Sequence, residues 1–266
     1  MQFKKIITWI LSILLVSISL SSCKEDNVDC SRQLFGRPIN TTGLDDSQCT
    51  PVCQCEGFAS TYFSQEDIDN IRTWTLTNSI ALLGNNPYDL PAPIRPEGIC
   101  AVVVEDLNLK TYHLENYTSP EAALADGAIL THFDVCGKCS SLEDFAVYAE
   151  NLDVGADVRQ CILSNLNTPF EDLVLCIEAI GFTKPCAQIW AYNAKNTQTE
   201  CFAVCISDTL YNQADGSLSD CLQCDETKSG PVFKAIAGRT RRNTGIASSI
   251  CRFCEEVQIV THKYPN

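Results

Sequence analysis

The sequence predicts an α+β fold: a small antiparallel sheet attached to a larger, mostly helical body held by disulfides. Three observations predict it. Short β-branched runs separated by turn signals are confined to residues 100–133. From residue 140 onward, capping signals and apolar residues at helical spacing replace them. The chain also carries 17 cysteines in 266 residues behind an apolar leader, the usage of an oxidised, exported protein.

The leader comes first. Lys4 and Lys5 form a basic head, and Ile6 to Leu20 carry no charge. That stretch is about 22 Å long as a helix, short of a hydrocarbon core of about 30 Å, so residues 1–22 read as a secretion signal. The segment ends in Leu20-Ser21-Ser22-Cys23, which resembles the lipobox of bacterial lipoproteins. The resemblance implies cleavage before Cys23, lipid on Cys23, and a membrane as the partner that this lipid engages. Several acyl chains make a firm anchor, since each buried CH₂ contributes about 0.8 kcal/mol. The following Lys24-Glu25-Asp26 resembles the surface-export signal of lipoproteins in one Gram-negative phylum. It implies an outer-membrane location with the domain facing outward.

Residues 23–63 read as a lipidated tether that becomes a cysteine-rich cap, with Cys30, Cys49, Cys53 and Cys55 set among Gly, Pro, Asn and Asp. Residues 64–266 read as a single disulfide-stapled domain. Ser64 starts a helix carrying Ile68, Ile71 and Trp74. Gly84-Asn85-Asn86-Pro87 breaks the chain, and Pro91 to Pro96 is extended. Cys100–Val104 and Lys110–Leu114 are strands joined by a turn at Asp106-Leu107-Asn108. Ser119-Pro120-Glu121 opens a short Ala-rich helix, and Ala128–Phe133 is a third strand.

The helical part follows. Ser140 and Glu143 form a capping-box pattern ahead of Phe145. A second helix covers about Ala156–Leu166. A third is capped by Thr168, has Pro169 at its first position and stops at Gly181. A fourth begins near Pro185 and runs toward Leu210, with an interruption expected at the polar stretch Asn193–Thr199. Leu218–Cys224 and Val232–Arg242 are the last helices, and Val257–Val260 is expected to return to the sheet as a strand.

Charge limits the partners. Loss of Lys4 and Lys5 lowers the 19 basic residues to 17 against 33 acids, a net charge of about −16. Such a chain repels nucleic acid and anionic membrane as a whole. Sixteen cysteines remain after lipidation, an even number that reads as disulfides. Three Cys-x-x-Cys pairs, 136/139, 221/224 and 251/254, also have zinc-ligand spacing, a reading that suits a reduced chain better than an exported one. No motif implies a cofactor, and the export signal favours disulfides over a metal.

Two clusters carry chemistry. Where the third strand meets a helix stands His132-Phe133-Asp134-Val135-Cys136-Gly137-Lys138-Cys139. Period-two alternation puts His132 and Asp134 on one strand face, the arrangement of a general base and its orienting acid, as in a hydrolase or lyase. Cys136 and Cys139 at a helix start, beside Lys138, suit a thiolate. The strand, Cys-Gly-x-Cys, helix order resembles thioredoxin-like oxidoreductases over about twenty residues. The chain departs from that pattern by continuing as helices. Two structural cysteines stapling a helix start account for the same residues.

The second cluster is an acid-free basic island between Thr227 and Cys254: Lys228, Lys234, Arg239, Arg241, Arg242 and Arg252. Arginine suits planar contact with carboxylate, sulfate or phosphate. The island reads as an anion-binding surface, centred on Arg239, Arg241, Arg242 and Lys228, for an extracellular ligand such as an acidic or sulfated glycan. Internal pairing with the acid-rich remainder is the competing reading. Trp190-Ala191-Tyr192-Asn193 has the composition of a sugar-stacking platform or of core. His113 and His262 stand alone and carry no role.

Several strings occur together: Cys136-Gly137-Lys138-Cys139-Ser140 with Asp144 and Tyr148; Gly181-Phe182-Thr183 with Cys186 and Trp190; Cys221 to Glu226 with Ser229-Gly230-Pro231; and Ala237-Gly238-Arg239 with Arg241, Arg242 and Gly245. Over roughly residues 60–264 they are similar to a cysteine-rich exported family of unicellular eukaryotes and some bacteria. That family brings no assigned reaction, so the resemblance implies one folding unit and no catalytic residue.

Overall fold

The structure is a computed structural model and describes residues 33–51, 63–91 and 93–265. The leader, Cys23, the Lys24-Glu25-Asp26 segment, Cys30, Cys53 and Cys55 lie outside the described residues. The N-terminal stretch contributes β1 (Leu34–Phe35) and β2 (Cys49–Thr50). Then come α1 (Gln65–Arg72), β3 (Thr75–Leu76), β4 (Ile99–Asp106), β5 (Thr111–Tyr117), α2 (Pro120–Ala125) and β6 (Ile129–Phe133). The helical body is α3 (Leu142–Glu150), α4 (Val154–Ser164), α5 (Phe170–Glu178), α6 (Lys184–Cys205), α7 (Asp220–Lys228), α8 (Gly230–Ala237) and α9 (Arg241–Thr244). Near the end lies β7 (Arg252–Phe253). The chain is α+β, as the sequence predicts.

The main sheet has the order β3-β5-β4-β6. Its β4–β5 and β4–β6 pairs are antiparallel, with Val102 opposite Leu114 and Cys100 opposite His132. The edge strand β3 pairs parallel with β5, so the sheet is mixed and not purely antiparallel. Both faces of β4 are covered, which is why residues 99–104 are apolar and do not alternate. Cys100 and Val102 face the core formed with Ile68, Ile71 and Phe145, while Ala101 packs on Ala123 and Ala128. A second sheet, β2-β1-β7, joins the cap to the end of the chain through Leu34–Phe253 pairing and the Cys49–Cys251 disulfide.

Several expected boundaries move for identifiable reasons. The N-cap of α3 is Ser141, not Ser140, because the Ser140 hydroxyl is occupied by His132 and the Gly137 N–H. Pro169 takes the cap position of α5, while the Thr168 hydroxyl turns back to Asn165. α6 runs unbroken through Asn193–Thr199, because those polar side chains have partners on other elements. Asn193 accepts from the Tyr88 hydroxyl at 2.8 Å, Asn196 donates to Ser229 at 3.0 Å, and Thr197 donates to Asp225. The expected Val232–Arg242 helix is split at Gly238, whose φ of 73° ends α8. The expected final strand at Val257–Val260 does not form, and Arg252–Phe253 pairs instead, with β1.

Disulfides cross-link the body: Cys100–Cys136, Cys139–Cys186, Cys161–Cys176, Cys201–Cys224 and Cys205–Cys221. Cys254 is disulfide-bonded as well. All six members of the three Cys-x-x-Cys pairs are therefore oxidised, and none is available as a zinc thiolate.

Candidate functional site

The Cys-Gly-Lys-Cys corner is a junction. Cys136 bonds to β4 through Cys100, and Cys139 bonds to α6 through Cys186. Two sulfurs held in separate bridges form no dithiol couple, which removes the support for redox exchange between them. Their segment also docks against the end of α8: the Lys138 and Cys139 N–H groups donate to Ile236 and Ala237 carbonyls at 2.9 and 2.8 Å. A Cβ on Gly137 would lie 2.5 Å from the Ile236 oxygen, and one on Gly238 would lie 2.5 Å from the Gly137 nitrogen. Only two glycines allow these backbones to touch.

His132 and Asp134 are not a base and its orienter. Asp134 has a φ of 68°, which breaks the strand alternation. Its carboxylate meets the exposed Arg95 and accepts from Asn243 at 2.9 Å. His132 is wholly buried; its Nδ1–H donates to the Phe133 carbonyl and its Nε2 accepts from the Ser140 hydroxyl, each at 2.7 Å. Burial and the nearby Arg239 cation hold its pKa well below the ordinary histidine value, so the ring is neutral. Ser140 is equally sealed from solvent, and the pair is a satisfied core contact.

The basic island is spent largely inside the molecule. Arg239 is fully buried, where it donates to the carbonyls of Cys139, Thr131 and Ser140 and to the Thr131 hydroxyl, with Phe145 4.9 Å away across its face. A chain of hydroxyls continues from it: Thr131 reaches Tyr264 at 2.9 Å and Tyr264 reaches His262, whose Nε2–H donates to the Thr244 carbonyl. His262, given no role by the sequence, is thus a core residue; burial brings its pKa down to about 3. Arg239 therefore presents nothing to an external anion. The turn at Gly238 points it inward. Arg242 pairs with Glu226 at 2.9 Å and Glu256 at 3.5 Å. Lys228 is exposed at the end of α7. These residues do not converge on one polyanion surface.

What the helices do assemble is a cavity of about 560 Å³ with mainly apolar walls, bordered by α3, α4, α6, α7, α8 and α9. Val158, Ile162, Trp190, Ala194, Phe233 and Ile246 lie along it. Its rim includes Leu163, Leu166, Phe202 and Ile206, which are 58%, 44%, 57% and 69% exposed. Leucine, isoleucine and phenylalanine left this open at the mouth of an apolar cavity are unusual on a soluble surface. Part of the wall is aromatic: Trp190 packs edge-on against Phe233 at 4.7 Å and its indole N–H donates to the Tyr148 hydroxyl at 3.0 Å.

The cavity's charged groups are ordered. Burial pushes the Glu226 carboxyl up, but Arg252, Arg242 and Lys234 outweigh it and bring it down to about 2. Its oxygens lie 2.6, 2.9 and 2.5 Å from those cations. Asp225 accepts from Thr197 and Asn193, Asp208 from the Cys221 N–H, and Asp153 from Tyr211 and the first turn of α4. The site is not legible in the sequence because its walls come from segments as far apart as Phe35 and Val257. The local hint was the apolar surplus at Leu163, Leu166, Phe202 and Ile206.

A family model described as a family of unknown function (DUF8771) matches residues 170–260, the stretch from α5 to just beyond β7. It includes α6, α7, α8 and α9 of the cavity wall but not α3 or α4. No curated protein and no solved structure matches the chain.

Proposed function

We propose that this chain is an exported, membrane-anchored binding protein that receives an extracellular ligand with an apolar body in the cavity between α4, α6, α7 and α8. The observation that carries the reading is the cavity itself. Its volume of about 560 Å³ falls within the roughly 300–1,000 Å³ usual for small-molecule sites, and apolar walls with a few placed polar groups are the common composition. An exposed apolar rim gives such a ligand an entry. The disulfides Cys201–Cys224 and Cys205–Cys221 tie α6 to α7 beside that rim, so the walls are held before the ligand arrives.

The anchor belongs to the same proposal: lipid on Cys23, at the outer membrane, with the domain facing outward. The leader and the Leu20-Ser21-Ser22-Cys23 string support it, and the extensive disulfide bonding suits an oxidising compartment. An acidic glycan is the poorer ligand, since Arg239 is sealed in the core and Arg242 is paired with Glu226 and Glu256.

Two measurements test this. An uncharged fluorophore, N-phenyl-1-naphthylamine, is expected to brighten on binding the mature protein, and Ile162→Trp, which fills the cavity, is expected to abolish that response. No response from the folded wild-type protein would overturn the binding reading. Radiolabelled palmitate is expected on the wild-type chain and absent from Cys23→Ser; equal labelling would overturn the anchor.

A further inference from the structure

Two donors lining the cavity keep unspent protons. Arg241 donates through Nη1 to the Ala247 carbonyl at 2.8 Å and through Nη2 to the Asn151 carbonyl. A guanidinium carries five N–H groups, so these bonds leave others unused. Among the described residues, no carboxylate lies within ion-pair distance of Arg241, unlike Arg242 and Arg252 beside it. Burial brings its pKa down to about 10, still charged at neutral pH. Its guanidinium lies 5.5 Å from the centre of the Tyr148 ring. Tyr148 is 3% exposed; its hydroxyl accepts the Trp190 indole N–H and, among the described residues, donates to nothing. Both residues line the cavity.

A half-buried cation with no carboxylate at ion-pair distance and a buried hydroxyl with no acceptor are each costly. A single group satisfies both: an anionic oxygen pair. The cavity's carboxylates do not, because each is held elsewhere. Val158, Ile162, Trp190, Phe202 and Ile206 supply apolar wall to the same cavity.

We propose that the ligand is a single-chain carboxylate amphiphile, a free fatty acid by chemical class, with its carboxylate on Arg241 and Tyr148 and its alkyl chain along the apolar walls. The proposal rests on the cavity being the binding site, and it adds the charge and form of the occupant. No covalent step is involved. Arg241 and Tyr148 give the selectivity and the walls give the affinity common to all alkyl ligands.

The experiment displaces N-phenyl-1-naphthylamine from the mature protein with dodecanoate, 1-dodecanol or dodecyltrimethylammonium. Dodecanoate is expected to displace it at concentrations about tenfold or more below the alcohol, the scale of a charge-assisted hydrogen bond, and the cationic chain least well. Arg241→Gln is expected to bring the acid and the alcohol within about threefold while the alcohol still binds. Tyr148→Phe, which keeps the ring, is expected to weaken the acid alone by several-fold. Equal displacement by acid and alcohol in the wild-type protein would leave the cavity reading standing and overturn this one, as would a preference that survives both substitutions. Failure of every alkyl compound to displace a probe that binds the wild-type protein would likewise overturn this proposal and leave the cavity reading standing, whereas failure of the probe itself to bind would overturn both.

Discussion

One carboxylate, that of Asp144, serves two helix starts. It accepts from the Ser141 hydroxyl at the cap of α3, and from the N–H and hydroxyl of Thr183 at the cap of α6. Burial raises its pKa, the bonds from Ser141 and Thr183 hold it partly down, and the result is about 6. A folded value above the unfolded value near 3.8 means the native state holds this proton more tightly. Asp144 therefore stabilises the fold most below about pH 4, and that contribution is lost as pH rises through 6. Urea denaturation across that window is expected to show the decline in wild-type protein and a flatter profile in Asp144→Asn. Asp144→Ala leaves the buried donors of Thr183 and Ser141 unmatched and is expected to cost about 3 kcal/mol. Glu226 has the opposite sign. Its value of about 2 lies below the usual 4.5, so its contribution is present above pH 4.5 and lost as pH falls toward 2. Glu226→Gln removes the ion-pair partner of Arg252 and Lys234, leaves Arg242 with Glu256 alone, and is expected to cost about 3 kcal/mol by denaturant titration. Neither role was legible in the sequence, where Asp144 was one residue of a motif and Glu226 the acid nearest an apparently uncompensated basic run.

Among elements, the contact between the Cys136–Ser140 segment and the end of α8 is the least tolerant. Gly238→Ala combines a φ of 73° with a Cβ 2.5 Å from backbone, and Gly137→Ala meets backbone at 2.5 Å. Each is expected to lower the midpoint of thermal unfolding, by about 2 kcal/mol or more in stability, with Gly127→Ala as the contrasting control. Gly127 also has positive φ but nothing within 4 Å of its Cβ, so strain alone acts there. Local elements were largely legible: the β4–β5 hairpin, the Ser119-capped α2 and the start of α1 depend on turn and cap chemistry carried by adjacent residues. Errors fell where a distant partner decides. Ser140 lost its cap role to His132, and α6 keeps its polar middle because α7 and the 3₁₀ turn at Pro87–Asp89 bond to it. The His132–Asp134 alternation failed at one residue of positive φ, and the acid-free run of charge gave no sign that Gly238 turns Arg239 into the core.

For the whole molecule, sulfur connectivity is the feature that the sequence bounds but does not assign. Non-reducing peptide mapping by mass spectrometry is expected to find Cys100 joined to Cys136 and Cys139 to Cys186; a Cys136–Cys139 peptide would return the redox reading. Among the described bridges the widest, Cys49–Cys251, spans 202 residues, and chain-entropy reasoning assigns such a closure roughly 5 kcal/mol. It also turns nearly the entire polypeptide into a covalent hoop. A protease that nicks the hairpin tip, where Leu107 and Leu109 are 58% and 72% exposed, opens the hoop without liberating a piece. On a gel, the nicked chain is expected to migrate as one band until thiol is added. Wherever hydrolases reach that tip, the molecule can thus be scarred there and still hold its two halves in one covalent piece.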